Sequence, residues 1–255
     1  MSHFPDGAAL IYGGSGGMGS AIARRLAQDG VDCAICYRSN RDKAEQVAGE
    51  VEALGVKTSL HAVNIADKAQ IAQSFADAVA AHGRVHTVMV TAGSDIEQPL
   101  LSEVTEAQWL EVVNADLNGF FYITQAALPH MKEKGGGSFV HMSSAGILRI
   151  PPRDVLSVAP KSAVEALIKY IAKEEGVNKI RANSVALGVI DAGIFHRLKE
   201  KGVFDKAWEE AVLSGLALKK FGRAEDVAEA AVYLASERAG YVTGQMIAVD
   251  GGYGI

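Results

Sequence analysis

The side chains best suited to chemistry in this 255-residue chain lie between positions 143 and 161, in the stretch SSAGILRIPPRDVLSVAPK. The stretch carries the hydroxyl groups of Ser144 and Ser157, the carboxylate of Asp154 and the ammonium group of Lys161. If the segment is helical, Asp154, Ser157 and Lys161 share one face, because residues three, four and seven apart project in the same direction. Such a set could polarise a substrate oxygen and move a proton.

These candidate side chains differ in how readily they give up a proton. A serine alcohol is far too weak an acid for a neighbouring ammonium group to make it a useful donor, and a carboxylate beside Lys161 is expected to be ionised and to act as a base. Burial would reverse that expectation for Asp154. Pro160 favours a second interpretation, in which the helix begins near Ser157, Ser157 is its N-cap and Asp154 lies in the preceding loop. The catalytic and capping interpretations of Ser157 both stay open.

A glycine-rich turn, YGGSGGMG at positions 12–19, follows a strand-like apolar run and precedes a helical pattern. Glycine permits positive φ angles and lets backbone N–H groups approach a pyrophosphate at the start of a helix. The turn therefore predicts a dinucleotide site, with the following residues against the cofactor: Gly13, Ser15, Gly17, Met18 and Gly19.

The second strand-like run ends at Arg38 and Ser39, where an NAD-binding site carries a carboxylate for the ribose 2′-hydroxyl. A guanidinium group suits the 2′-phosphate of NADP instead. The predicted cofactor is therefore NADP(H), and the alternative is that Arg38 is an ordinary exposed charge at the end of a strand.

These residues need a scaffold, and the apolar pattern predicts one. Strand-like runs lie at 8–12, 31–37, 57–63, 86–92, 138–143, 180–186 and 245–250, and helical patterns lie at 20–30, 41–54, 67–82, 105–133, 157–175 and 224–236. Repeated strand–helix units imply parallel strands with helices on both faces. We therefore predict one α/β domain over residues 1–255, a Rossmann-type doubly wound parallel sheet of about seven strands.

Composition limits the partners. The net charge of -5 argues against a nucleic-acid surface, and no run approaches the roughly 18 apolar residues of a membrane span. We expect a cytoplasmic protein that acts on a small molecule, without a metal site. Cys33 and Cys36 form a CxxC pair, but in a strand their side chains point to opposite faces, which predicts two core thiols.

Several motifs together make the sequence similar to the short-chain dehydrogenase/reductase family over essentially its full length. The matching segments are Gly13, Gly17 and Gly19 for the family's TGxxxGxG loop, Asn64-Ile65 for the Asp-hydrophobic pair that brackets adenine, Val90-Thr-Ala92-Gly93 for NNAG, and YVTGQ at 241–245 with VDGG at 249–252 for the C-terminal signature.

The resemblance implies hydride transfer between a nicotinamide and a substrate carbon, assisted by a serine, a tyrosine and a lysine. Ser144 matches the serine, and Lys161 matches the lysine that also binds the cofactor ribose. Asn114 matches an asparagine that holds a proton-relay water, and the backbone of Ile190 would reach the nicotinamide carboxamide. The resemblance also implies a homotetramer and a helical segment, 193–218, that covers the substrate.

The tyrosine itself is absent. The family places it four residues before the lysine, which is Ser157 here, and its enoyl-acyl-carrier-protein reductases place it seven before, which is Asp154. Two hypotheses follow: an NADP(H)-dependent oxidoreductase acting on a carbonyl or a conjugated double bond, or a catalytically silent member that binds nucleotide or pairs with an active sister subunit. Enoyl reduction demands less of a local acid, because water can protonate an enolate later.

Overall fold

The computed structural model describes residues 3–93, 96–200 and 202–255. Within these ranges strands and helices alternate as the apolar pattern predicted. The strands are β1 Ala8–Tyr12, β2 Asp32–Tyr37, β3 Thr58–Ala62, β4 Val85–Val90, β5 Gly137–Ser144, β6 Ile180–Leu187 and β7 Met246–Val249. The α-helices are α1 Gly17–Gln28, α2 Arg41–Glu52, α3 Lys68–His82, α4 Glu106–Val112, α5 Gly119–Glu133, α6 Val155–Glu175, α7 Ile194–Glu200, α8 Lys206–Gly215 and α9 Ala224–Ala235.

All seven strands pair in parallel in one sheet, in the order β3-β2-β1-β4-β5-β6-β7. The chain builds outward from β1 to β3, returns to place β4 beside β1, and then builds in the other direction. The predicted doubly wound α/β fold is thus confirmed. In such sheets ligands bind at the carboxyl ends of the strands where the order reverses, which here lies between β1 and β4.

Helices cover both faces of the sheet over two separate apolar cores. One core joins α1, α2 and α9 to the sheet, and the other joins α3, α5 and α6. Cys33 lies in the first core and Cys36 in the second, so their side chains do point to opposite faces. Burial raises the pKa of both thiols, that of Cys33 to about 12, as the core interpretation predicted.

The helical pattern predicted as one unit over 105–133 is interrupted. Between α4 and α5, residues Val113–Asn118 form a π-helical turn, in which hydrogen bonds span five residues instead of four. The wider turn rotates the side chains that follow relative to a regular α-helix. It therefore decides which of its residues faces α6, the helix that carries Lys161.

Helix α6 begins two residues earlier than Pro160 suggested. The helix starts at Val155, and the backbone N–H of Ser157 already bonds to the carbonyl of Asp154, so Ser157 lies inside the first turn and the prediction that it is the N-cap is wrong. Pro160 is the sixth helical residue and cannot donate to the carbonyl of Leu156. The buried packing of Pro160 and its neighbours holds the helix despite that missing bond.

Among the described residues, no helix is long and apolar enough to cross a membrane.

Candidate active site

The glycine-rich turn lies at the carboxyl end of β1, directly against the segment that follows β4. Gly13 has a φ of 82°, and a Cβ atom there would lie 2.7 Å from the backbone nitrogen of Ala92. A Cβ on Gly17 would lie 2.9 Å from the nitrogen of Gly193, and one on Gly19 would overlap the carbonyl of Gly13. The turn therefore forms a cradle that any larger residue would fill.

Helix α1 leaves its first N–H groups available. Gly16 occupies the N-cap position and offers no side chain to bond them. Ser15 and Met18 flank this end, half-buried, and Met18 packs against the core. An uncapped helix start inside a glycine cradle fits a pyrophosphate, so the residues present suit a dinucleotide cofactor.

Arg38 and Ser39 are exposed beyond the end of β2. Arg38 makes no hydrogen bond or ion pair within the described part of the chain. The nearby Arg41 differs, since its guanidinium bonds to Glu45 one helical turn later. The guanidinium of Arg38 is thus available to a ligand at the edge of the crevice.

Asn64 and Ile65 follow β3 at the same edge of the sheet. The side-chain oxygen of Asn64 accepts a hydrogen bond from the N–H of Ala66, which fixes the turn. The carbonyl of Ile65 lies so close to Gly119 that a Cβ there would approach it to 2.6 Å. This contact ties the turn after β3 to the start of α5.

Lys161 forms a buried ion pair that the sequence did not predict. Its ammonium group donates to Oδ2 of Asp116 at 2.9 Å, and the two side chains are 19% and 5% exposed. Asp116 comes from the π-helical turn, and Gly93 after β4 lies beside it, since a Cβ on Gly93 would be 3.8 Å from Oδ1 of Asp116. The ion pair therefore borders the crevice at the Ala92-Gly93 segment.

Asn114 lies elsewhere. Its side chain is exposed, its oxygen accepts a hydrogen bond from Asn118, and within the described residues it makes no bond to Ser144, Ser157 or Lys161. The role of Asn114 in holding a relay water therefore stays a prediction. The π-helical turn brings Asp116, rather than Asn114, into direct contact with Lys161 of α6.

Ser144 ends β5 and is half-buried. Its Oγ accepts a hydrogen bond from the N–H of Gly146 at 3.0 Å. A Cβ on Gly146 would meet both Ser144 and Val158 of α6, so the strand end and the first turns of that helix are in close contact. The end of β5 that carries Ser144 thus packs against the part of α6 that leads to Lys161.

Asp154 and Ser157 stand at the start of α6, on the face that also carries Lys161. Burial raises the pKa of Asp154 to about 6, although the positive charge of Lys161 opposes the shift. The sequence-based expectation of an ionised carboxylate left burial open, and burial is the stronger effect here.

Behind Lys161, a buried polar group joins β5, β6 and α6. Oε2 of Glu165 accepts a hydrogen bond from Ser184 at 2.7 Å, and Oε1 lies 3.8 Å from Nδ1 of His141. Burial alone would raise the pKa of Glu165, but His141, Ser184 and Ser143 outweigh burial and lower it. Burial lowers the pKa of His141. The cluster therefore places an anionic carboxylate next to a neutral imidazole.

The segment after β6 closes the crevice from the other side. Ile190 is buried and pairs with Gly222, and Gly193 meets Gly17 of the cradle. The predicted covering segment contains α7 and α8, while its Lys201 lies outside the described residues. Phe195, Phe204 and Trp208 pack on one another, with the last two rings stacked at 3.8 Å.

A cavity of about 350 Å³ lies between α7 and the segment that follows β4. Its lining is mixed, with the apolar Ile96, Ile194, Leu198 and Val203 beside the polar Gln98 and the charged Glu97 and Arg197. Phe195, Phe204 and Trp208 of the covering segment form a small core with Leu198, Val189 and Phe221. A cavity that combines apolar side chains with a few polar and charged groups is a suitable place for a small-molecule substrate.

Comparison with known proteins identifies the family to which the chain belongs. Residues 13–254 match the family model described as enoyl-(acyl carrier protein) reductase. The chain is 33% identical over 243 residues to the 3-oxoacyl-[acyl-carrier-protein] reductase FabG of Thermotoga maritima, covering 95% of this chain and 96% of that protein. The chain belongs to the short-chain dehydrogenase/reductase family of oxidoreductases.

Solved structures of other proteins superpose closely on this chain. A short-chain type dehydrogenase/reductase from Mycobacterium ulcerans superposes with a TM-score of 0.92 at 31% identity, covering 98% of this chain and 90% of that one. A 7α-hydroxysteroid dehydrogenase, solved with NADH and 7-oxo glycochenodeoxycholic acid, superposes with a TM-score of 0.90 at 25% identity, covering 98% and 96%. The family uses nicotinamide cofactors, in keeping with the glycine cradle.

Proposed function

We propose that this protein is an NADP(H)-dependent oxidoreductase that acts on a carbonyl group or a conjugated double bond. The observation that carries the proposal is the convergence of Ser144, Lys161 and the glycine cradle on one crevice at the carboxyl edge of the sheet. A serine hydroxyl beside a lysine suits an oxygen that gains negative charge during reduction.

The cofactor, when bound, supplies or accepts the hydride. The cradle residues, the uncapped start of α1 and Ser15 would hold its pyrophosphate, and Asn64 and Ile65 would border its adenine. Ala92, Gly93 and Ile190 would line the nicotinamide end, with Lys161 at the ribose. Ser144 would then orient the substrate oxygen.

The preference for NADP(H) is supported by Arg38 at the end of β2, which is exposed and forms no ion pair with another described residue. A charge-assisted bond contributes about 1.5 to 3 kcal/mol. Arg38→Ala should therefore raise the Kd of NADPH roughly 10- to 100-fold and leave that of NADH unchanged, as measured by cofactor fluorescence. Arg41→Ala is the matched control, because its guanidinium already bonds to Glu45, and it should change neither value. Equal losses for both cofactors in Arg38→Ala would contradict NADP preference.

The apolar side chains on one part of the cavity lining, and the 3-oxoacyl-[acyl-carrier-protein] reductase among the relatives, support a substrate with an apolar chain beside its reacting carbon. Segment 193–218 would cover that chain. A panel of ketones, enones, 3-oxoacyl thioesters and enoyl thioesters, followed by NADPH absorbance, tests this directly. Oxidation of NADPH by none of them, despite NADPH binding, would contradict the oxidoreductase proposal.

A catalytically silent member is the second candidate, favoured by the missing tyrosine alone. Ser157→Tyr places a phenol four residues before Lys161 and separates the two outcomes. A gain in carbonyl reduction would identify the phenol as the limiting group, whereas NADPH binding without turnover in both proteins would favour the silent member.

A homotetramer is part of the proposal. The outer faces of α5 and α6 carry exposed apolar side chains, among them Phe121 at 45% and Tyr170 at 63% exposure, around a shallow groove. Burial of such side chains between subunits is favourable. Light scattering should give about four times the chain mass of 26.9 kDa, and the mass of a monomer would contradict the assembly.

A further inference from the structure

Asp154, the residue immediately before α6, has a carboxylate that does not cap the helix. An aspartate at this position ordinarily accepts a hydrogen bond from the N–H of the second or third helical residue, as Asp67 and Asp205 do before α3 and α8. Asp154 makes no such bond, although its backbone carbonyl accepts from Ser157 and Val158. Its half-buried side chain is thus left for another role.

The charged and titratable groups around Asp154 come from three elements. Lys161 of α6 acts on it as an opposite charge, and the phenol of Tyr253, in the tail after β7, is affected by its negative charge. Arg149, in the loop before α6, lies over the Tyr253 ring at 5.4 Å and donates to the Tyr253 carbonyl at 3.5 Å. Arg153 is engaged elsewhere, with the carbonyl of a residue that precedes α4.

Ser157 and Asp154 on the Lys161 face of α6, and Tyr253 beside Asp154, could each donate a proton, and they differ in acidity. The alcohol of Ser157 is too weak an acid. Burial raises the pKa of Tyr253, with Arg149 opposing and Asp154 adding to the rise, so this phenol holds its proton more firmly than a free one. Burial brings the pKa of Asp154 to about 6, close to working pH. Asp154 alone combines a transferable proton with a place on the Lys161 face of the helix.

We propose that Asp154 is the proton donor of this site and replaces the phenol that the chain lacks. The inference rests on the proposed function and names the acid of that same site. In carbonyl reduction, the substrate carbon accepts the hydride while the C=O π pair moves to oxygen. Asp154 gives its carboxyl proton to that oxygen, which forms the alcohol, and the resulting carboxylate regains a proton from water.

The test is the pH dependence of kcat/KM for NADPH-dependent reduction in the wild type, Asp154→Asn, Asp154→Glu and the control Asp67→Asn. The wild-type value should fall about tenfold per pH unit above the pKa near 6. Asp154→Asn should lower it by roughly 100-fold or more at pH 6 and remove the sloping limb, with the Kd of NADPH unchanged. Asp154→Glu should keep the limb, and Asp67→Asn should match the wild type.

The outcomes separate this inference from the function on which it rests. If the wild type reduces a substrate and Asp154→Asn keeps both its rate and its sloping limb, Asp154 is not the donor, while the oxidoreductase assignment stands. If the wild type binds NADPH but reduces no member of the panel, the oxidoreductase proposal fails and the donor role fails with it. A thermal unfolding scan of Asp154→Asn shows whether the variant is folded.

Discussion

The ion pair between Asp116 and Lys161 should contribute much more to stability than an exposed pair of the same length. Its N–O distance is 2.9 Å with side chains 5% and 19% exposed, whereas Arg24 and Glu50 are 2.8 Å apart and 38% and 39% exposed. With equal distances, the difference lies in the surrounding dielectric. The gross attraction is about 6 kcal/mol at an effective dielectric constant of about 20, and about 1.5 kcal/mol in water.

Asp116→Asn keeps the shape of the side chain and removes its charge, which leaves the Lys161 ammonium group without that partner. Breaking a buried pair costs roughly 3 to 5 kcal/mol, and the remaining exposure of Lys161 places the expected loss near the lower end, at about 3 kcal/mol. Glu50→Gln should cost less than about 1 kcal/mol, because water screens that pair.

Urea unfolding of both variants measures these losses, and a double-mutant cycle with Lys161→Met isolates the coupling between Asp116 and Lys161. Raising the salt concentration should weaken the Arg24–Glu50 pair and leave the buried pair nearly unchanged. If Asp116→Asn costs no more than Glu50→Gln, burial does not strengthen the Asp116–Lys161 pair, and the reasoning from its burial is wrong.

Two further predictions concern Asp154 and the covering segment. Because the folded-state pKa of Asp154 is about 6 and its ordinary value is 3.8, folding favours the protonated form, so its contribution to stability is present below pH 4 and is lost as the pH rises to about 6. The loss is up to about 3 kcal/mol, and partial exposure of the side chain reduces it. The melting temperature of Asp154→Asn should therefore rise relative to that of the wild type between pH 4 and pH 7. A constant difference in melting temperature over this range would refute the prediction. Phe204→Ala should lower stability by about 3 kcal/mol through the lost stack with Trp208, and should raise KM more than it lowers kcat; an unchanged KM would argue that the segment does not cover substrate.

The strand and helix pattern was largely predictable because burial on both faces of a parallel sheet leaves long apolar runs separated by amphipathic helices. The seven strands and the glycine turn were confirmed on that basis. Glycines with a required φ or a close backbone neighbour, such as Gly13, leave a direct signature in the sequence.

The residues around Lys161 were less predictable, for two physical reasons. A π-helical turn differs from an α-helical one by a single hydrogen-bond step and has no compositional mark, so Asn114 could not be distinguished from Asp116. Tyr253 approaches Asp154 only after about 100 residues of chain have folded back, and no local pattern reports such a contact. The buried Glu165 was not predicted either, because a carboxylate one helical turn after Lys161 is equally compatible with an exposed, charged helix face.

The carboxylates around Lys161 give the protonation of Asp154 a second effect, which is to limit the negative charge near the substrate oxygen. Asp116 pairs with Lys161, and Glu165 lies one helical turn further along, so the ammonium charge is already offset. Reduction of a carbonyl builds negative charge on oxygen, and a further ionised carboxylate beside it would oppose that charge. A protonated Asp154 removes this repulsion and donates a hydrogen bond to the same oxygen. With Asp154 in place of the missing phenol, carbonyl reduction should be favoured below pH 6, where the carboxyl group holds its proton. Alcohol oxidation needs a proton acceptor and should be favoured above pH 6.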